Sequence, residues 1–133
     1  MSHFSEFSIP SIKDAESLVD ALKLMGFEHI EVHDTPQQLH GYRGDVRDQK
    51  ANIIIRRQYV GSASNDIGFL RMPDGTYKVW ISDYDKAKYN DKWLTKLKSS
   101  YAMQKLIKEA KRKGYQVTHK IEKEKTQITL QRW

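Results

Sequence analysis

Three groups of side chains in this chain have the residue types and spacing to do chemistry. His29, Glu31 and His33 recur at every second position, so in an extended strand they share one face and offer two imidazoles and a carboxylate, donors suited to a divalent metal. An exposed polar strand face explains the same pattern at less cost, and no metal is assigned. His40-Gly41-Tyr42-Arg43-Gly44 sets an aromatic ring and a planar cation between glycines, a pair able to stack on a base or grip a phosphate. The same residues also fit a simpler role, with Tyr42 closing the edge of the core and Arg43 paired to an acid. Asp83, Asp85 and Asp91, with Tyr84, Tyr89 and Asn90, make an acidic and aromatic patch. It lacks the glycine and closing glutamate of a calcium loop, so it reads as a turn and helix start.

The chemistry that is missing narrows the field further. There is no cysteine, which removes disulfides, thiolate metal sites and cysteine nucleophiles and fits a reducing compartment. No seryl elbow and no glycine-rich phosphate loop occurs, and no cofactor is implied. The sequence therefore points away from an enzyme. The alternative it leaves open is a small-ligand or catalytic domain with its pocket near Tyr42 and Arg43, close to His3.

Charge is concentrated in one place. Of the net +6, residues 1–90 contribute 11 basic against 13 acidic side chains, residues 91–113 contribute 8 against 2, and residues 114–133 contribute 4 against 2. The cationic stretch reads as a long helix from Asn90 or Asp91 to Gly114, with Trp93, Leu94, Leu97, Tyr101, Met103, Leu106, Ile107 and Ala110 as its buried face. Lys98, Lys105 and Arg112, spaced by seven, and Lys108 fall on the opposite side as a basic stripe. A solvated face with Lys111, Arg112 and Lys113 balancing the helix C-terminus is one reading. A contact surface for an acidic protein or a nucleic acid is the other.

These groups need elements to position them. An earlier helix is expected from Ile12 to Met25, started by a capping-box-like pair of Ser11 and Asp14 and stopped at Gly26. Strands are expected at Phe4 to Ile9, at His29 to His33 with Ile30 and Val32 inward, and at Ala51 to Val60. Ile67 to Met72 and Thr76 to Ser82 form a hairpin around Pro73-Asp74-Gly75, and Gln116 to Glu122 with Gln127 to Trp133 form a closing one. Asp34 to Lys50 is left as a long loop. The fold class that follows is α+β, a single antiparallel sheet with two helices packed on one face, and residues 1–133 make a single domain. No apolar run is long enough to span a bilayer and the N-terminus lacks the pattern of a secretory signal, so a cytoplasmic or plastid-stromal setting is expected.

An ordered set of short motifs runs along the whole chain: Met1-Ser2-His3-Phe4-Ser5, Gly41-Tyr42-Arg43-Gly44, Asp66-Ile67-Gly68-Phe69, the stretch from Tyr77 to Asp85, Tyr101-Ala102, Gly114-Tyr115-Gln116-Val117 and Gln131-Arg132-Trp133. In this order they resemble the hypothetical chloroplast open reading frame 35 family, a domain of unknown function found in plastids, cyanobacteria, other bacteria and phages. The resemblance implies a small accessory protein, with an AAA+ ATPase as a possible associate, and no chemistry. Lys105, Lys108, Lys111, Arg112 and Lys113 depart from the family pattern, so a role drawn from them belongs to this chain. The expected function is a non-enzymatic binding or regulatory module docking on an acidic partner, protein or nucleic acid. Its contacts are expected at Tyr42, Arg43, Lys98, Lys105, Lys108 and Arg112.

Overall fold

The structure is a computed structural model that describes residues 3–122 and 125–132, with side chains described from His3 to Gly114. Five strands form one antiparallel sheet in the order β1-β5-β4-β3-β2: β1 Phe4–Ile9, β2 Glu31–His40, β3 Val46–Ile55, β4 Ile67–Arg71 and β5 Tyr77–Ser82. Helix α1 spans Ala15–Leu24, a single turn α2 spans Arg57–Val60, and the long helix α3 spans Asp91–Arg112. The α+β class expected from the sequence is what forms.

Alternation decides the faces of the sheet. Ile9, Ile53, Ile55, Ile67, Phe69, Val79 and Ile81 join Leu18 and Leu22 of α1 and Leu94, Leu97 and Tyr101 of α3 in the main core, so both long helices cover one face. A smaller cluster of Phe4, Leu39, Ala51 and Ile54, with Trp80 against it, closes part of the sheet elsewhere. Gly68 belongs there by necessity. A Cβ on it would stand 2.6 Å from that of Ala51 and 2.7 Å from a methyl of Leu39.

Tyr101 ties the helices together. Its hydroxyl accepts the N–H groups of Lys13 (3.1 Å) and Asp14 (2.9 Å), two donors just ahead of α1 that have no helical partner. The cap of α1 is Asp14 itself, which accepts from the Ser17 N–H at 3.2 Å, so the expected Ser11–Asp14 box is displaced by three residues. Gly26 and Gly114 stand just past the two helix ends with φ of 105° and 85°, where the sequence places the stops.

Four expectations change. Asp34 to Lys50 is no loop: β2 and β3 make a hairpin turning at Gly41 to Asp45, because β2 is an edge strand whose irregular register and Pro36 hide its period. Val32 is 58 % exposed on that edge instead of facing inward. The strand expected to run to Val60 ends at Ile55, and Arg57–Val60 turns into helix. Finally, among the described residues β6 (Tyr115–Glu122) and β7 (Lys125–Arg132), the expected closing hairpin, pair with each other as a two-stranded sheet separate from the five-stranded one. Trp133 lies outside the described residues.

Candidate functional site

The Tyr42–Arg43 tip is held from behind by polar groups removed from water. Asn65 accepts the Tyr42 N–H at 2.9 Å on its side-chain oxygen, and its amide donates to Ser82 Oγ at 2.9 Å. Asp85 receives the Asn65 N–H at 2.9 Å and the Ser82 hydroxyl at 2.7 Å, and all three side chains are buried. Asp66 holds the neighbouring strand: its carboxylate accepts the N–H groups of His40 (2.6 Å) and Arg57 (2.7 Å) and one guanidinium N–H of Arg56 (2.8 Å). Arg56 reaches across to Glu31 through Nε (2.8 Å) and Nη2 (3.0 Å), the bidentate pairing its planar fork favours. That hydrogen bond from Arg56 holds the Glu31 carboxyl below the usual range against the opposing effect of burial, and His33, at 2.8 Å, adds to it. Glu31 in turn raises the Arg56 pKa further.

This arrangement takes apart the first and third of the groups that the sequence singles out. His29 precedes β2 and stacks on Tyr59 with ring centroids 4.2 Å apart, while Glu31 and His33 turn toward Arg56 and each other. Among the described residues no three His, Asp or Glu side chains gather as a ligand set. Of the aspartates, Asp85 is buried in the network, Asp83 pairs with Lys86 at 2.9 Å, and Asp91 opens α3 behind the Asn90 cap.

At the tip itself Tyr42 is exposed and Arg43 folds back on it. The guanidinium donates to the Tyr42 hydroxyl at 2.8 Å, and its carbon lies 5.3 Å from the ring centroid. The tip and the Lys108 end of the basic helix stand at opposite ends of the strands, while α3 itself begins near the tip's network, six residues after Asp85. Tyr42 connects through Asn65 to Ser82, which pairs with Phe4 at one end of β1. Asp14, held by Tyr101 and Lys108, follows Ile9 and Tyr77 at the other end.

Helix α3 changes its covered face part-way along. Leu94, Leu97 and Tyr101 face the main core, whereas Ile107 and Ala110 are buried on a different side, next to the β6–β7 hairpin, and Leu106 is 44 % exposed. The basic stripe therefore lies opposite only the second apolar set and beside the first. Lys108 Nζ sits 3.1 Å from Asp14 and 2.9 Å from Glu16, clamping α3 to the start of α1. Lys105 is 3.6 Å from Glu109 on its own helix. Lys98 and Arg112 are exposed, as are Lys92, Lys96, Lys111 and Lys113, and no ion pair joins any of them to a described carboxylate.

A second feature escapes sequence reading. Trp93 meets Phe27 and Tyr89 edge-on between α1 and α3, the Phe27 and Tyr89 rings are tilted by 41°, the centroids are 5.1 to 6.4 Å apart, and Tyr59 also lines the hollow beside them. They line a groove of about 340 Å³ with Lys88 and Lys96 among its walls. The residues come from three separate segments, around Phe27, Tyr59 and Tyr89 to Lys96, so local spacing announces only the Tyr89–Trp93 pair. Arg56 and Asp66 were equally hidden, the only hint being two arginines directly after Ile53-Ile54-Ile55.

An α+β fold with a closed polar network inside and, outside, cations that no described carboxylate pairs with is what these elements and sites define. The chain belongs to the family described as protein of unknown function (DUF1257), whose model matches residues 21–131. No curated protein and no solved structure matches it. Among the described residues no helix is long and apolar enough to cross a membrane.

Proposed function

We propose that this chain is a non-enzymatic binding module that docks on an acidic macromolecule through the exposed cations of α3, with Lys98 and Arg112 as its centre. The observation that carries this reading is the division of labour along one helix: Lys105 and Lys108 have carboxylates in reach, whereas Lys98, Lys111, Arg112 and Lys113 have none among the described residues. Cations left without counter-charges on one element raise the local potential and favour an anionic partner. Lys105 and Lys108 then serve the fold more than the contact, and the Tyr42–Arg43 tip, at the far end of the strands, is a separate second surface. The likeness to the chloroplast reading-frame family makes an AAA+ ATPase one candidate of this kind.

The alternative, a ligand pocket at Tyr42 and Arg43, has less support, because the Arg43 guanidinium is already turned onto its neighbour. Titration with two model polyanions, polyglutamate and a single-stranded oligonucleotide, tests the proposal. Binding of at least one should weaken steeply as salt rises, and the double change Lys98→Glu with Arg112→Glu should abolish it. Binding indifferent to both salt and charge reversal would overturn the reading.

A further inference from the structure

We infer that the aromatic groove between α1 and α3 receives a base of a single-stranded nucleic acid, which makes the acidic partner of the preceding proposal a nucleic acid strand. The inference rests on that proposal and adds the groove to it. Three observations carry it.

The first is the character of the walls. Phe27, Tyr59 and Trp93 line a hollow of about 340 Å³, within the size that takes a planar heterocycle. The Tyr59 ring has one face stacked on His29, 19° from parallel, and the residue remains 45 % exposed. Every base has a π-face, so such a ring is a stacking platform indifferent to sequence. Tyr89 is the fixed floor: its hydroxyl donates to the Val60 carbonyl at 3.1 Å, and burial raises its pKa.

The second is where the charge lies. Lys88 and Lys96 line the groove, Lys92 stands one turn of α3 from Lys96, and no described carboxylate pairs with any of the three. A base in the hollow leaves its phosphate at this rim. The hollow of about 650 Å³ between β1 and the β4–β5 turn lacks this property, since its Lys78 is bonded to Glu6.

The third is continuity. A second hollow of about 200 Å³, lined by Phe27, Glu28, His29 and Tyr59, adjoins the first and shares Phe27 and Tyr59 with it. An open trough with a ring at the division suits a strand whose neighbouring bases are splayed to either side. Glu28 repels a phosphate in the second hollow and so sets the direction in which the backbone leaves, over Lys88 and Lys96. An acidic peptide satisfies the lysines but has no flat group for each of the rings.

The experiment uses the full chain and a fluorescein-labelled oligothymidylate of about twelve nucleotides, with an abasic strand of the same length, a duplex and labelled polyglutamate beside it. The oligothymidylate should bind more tightly than the abasic strand and the duplex. Tyr59→Ala should weaken it about tenfold while leaving abasic-strand binding unchanged. Lys96→Glu should lower the salt slope by about one phosphate contact. Tyr59 is exposed, so its variant should fold, and its melting temperature checks this; if it does not fold, the Lys96→Glu slope decides. Equal binding of the base-bearing and abasic strands, or an unchanged salt slope in Lys96→Glu, overturns the groove but leaves the acidic-partner proposal standing. Binding of polyglutamate alone assigns the surface to an acidic protein and also overturns the groove. Failure of all four probes removes both.

Discussion

Two triads in this molecule each set one cation between an aspartate and a glutamate, an arginine in one and a lysine in the other, in different surroundings. Arg56 lies between Glu31 and Asp66 beneath the β2–β3 hairpin, and Lys108 lies between Asp14 and Glu16 where α3 crosses the start of α1. The difference is solvent. The Asp66 side chain is fully buried and that of Arg56 is 18 % exposed, whereas the Lys108 side chain is 38 % exposed and that of Glu16 71 % exposed. Inside, Asp66 accepts two backbone N–H groups as well as the Arg56 guanidinium, and Arg56 also donates to Glu31, the half-exposed outer arm, so the triad ties the end of β3 and the start of β4 to β2. Outside, water competes for every contact, and the pairing orients a helix without committing the surrounding cations. The chemically capable residues are thus graded by burial: those withdrawn from water hold the fold, Lys108 adds a solvent-screened clamp, and Lys98 and Arg112 are left without a described carboxylate.

Breaking the buried triad at its centre should have the largest effect. Asp66→Ala leaves the Arg56 guanidinium without its fully buried partner and strands the N–H groups of His40 and Arg57, which should cost about 3–5 kcal/mol of stability. Urea unfolding followed by far-ultraviolet circular dichroism reads this as a lower midpoint. A variant as stable as the parent would show that the network is ornamental and that burial is the wrong basis for the contrast. Changing the other arm should do less. Glu31 is 39 % exposed in its side chain, so Glu31→Gln, which keeps an acceptor but removes the charge, should cost about 1 kcal/mol once solvent screening is allowed for. A loss equal to that of Asp66→Ala would mean that the two arms act as one unit and that exposure does not grade them.

The contrast also explains what could be read from the sequence. Elements whose burial is one-sided and regular announce themselves: Leu18 and Leu22 place α1, Ile67 to Ser82 place a hairpin, and Gly26 and Gly114 place the helix stops. The β2–β3 hairpin does not, because an exposed edge strand with Pro36 and two register shifts keeps neither period nor hydrophobicity. The change of covered face along α3 is invisible for a related reason. A helix that packs on two different neighbours carries two overlapping stripes, and the residue spacing averages them. The exposure of Lys98 and Arg112 could be read from charge alone, since it needs no partner to define it. The aromatic groove could not, since Phe27, Tyr59, Tyr89 and Trp93 are brought together only by the crossing of α1, α2 and α3. Asp85 shows the limit most directly: read as one of an acidic turn cluster, it is in fact enclosed by Asn65 and Ser82.

The exposed triad should give the smallest effect and the most diagnostic dependence on conditions. Burial raises the Asp14 carboxyl, but hydrogen bonds from Ser17 and from Lys108 outweigh it and hold the pKa below the ordinary 3.8. A depressed carboxyl adds stability above its unfolded pKa and loses it as pH falls through the lower folded value. Lys108 is shifted the other way, raised from 10.5 by its hydrogen bond to Glu16, then by Asp14. Its contribution is complete below the unfolded value and is lost as pH rises through the higher folded one. The stability difference between the parent and Lys108→Ala should therefore persist from about pH 4 to pH 10 and close at both extremes. High salt should shrink it throughout that window, while leaving most of the Asp66→Ala difference in place, because screening acts on charges that water can reach. If salt reduced both differences alike, the buried triad would have to be opening to solvent, and the two regions would differ in degree only.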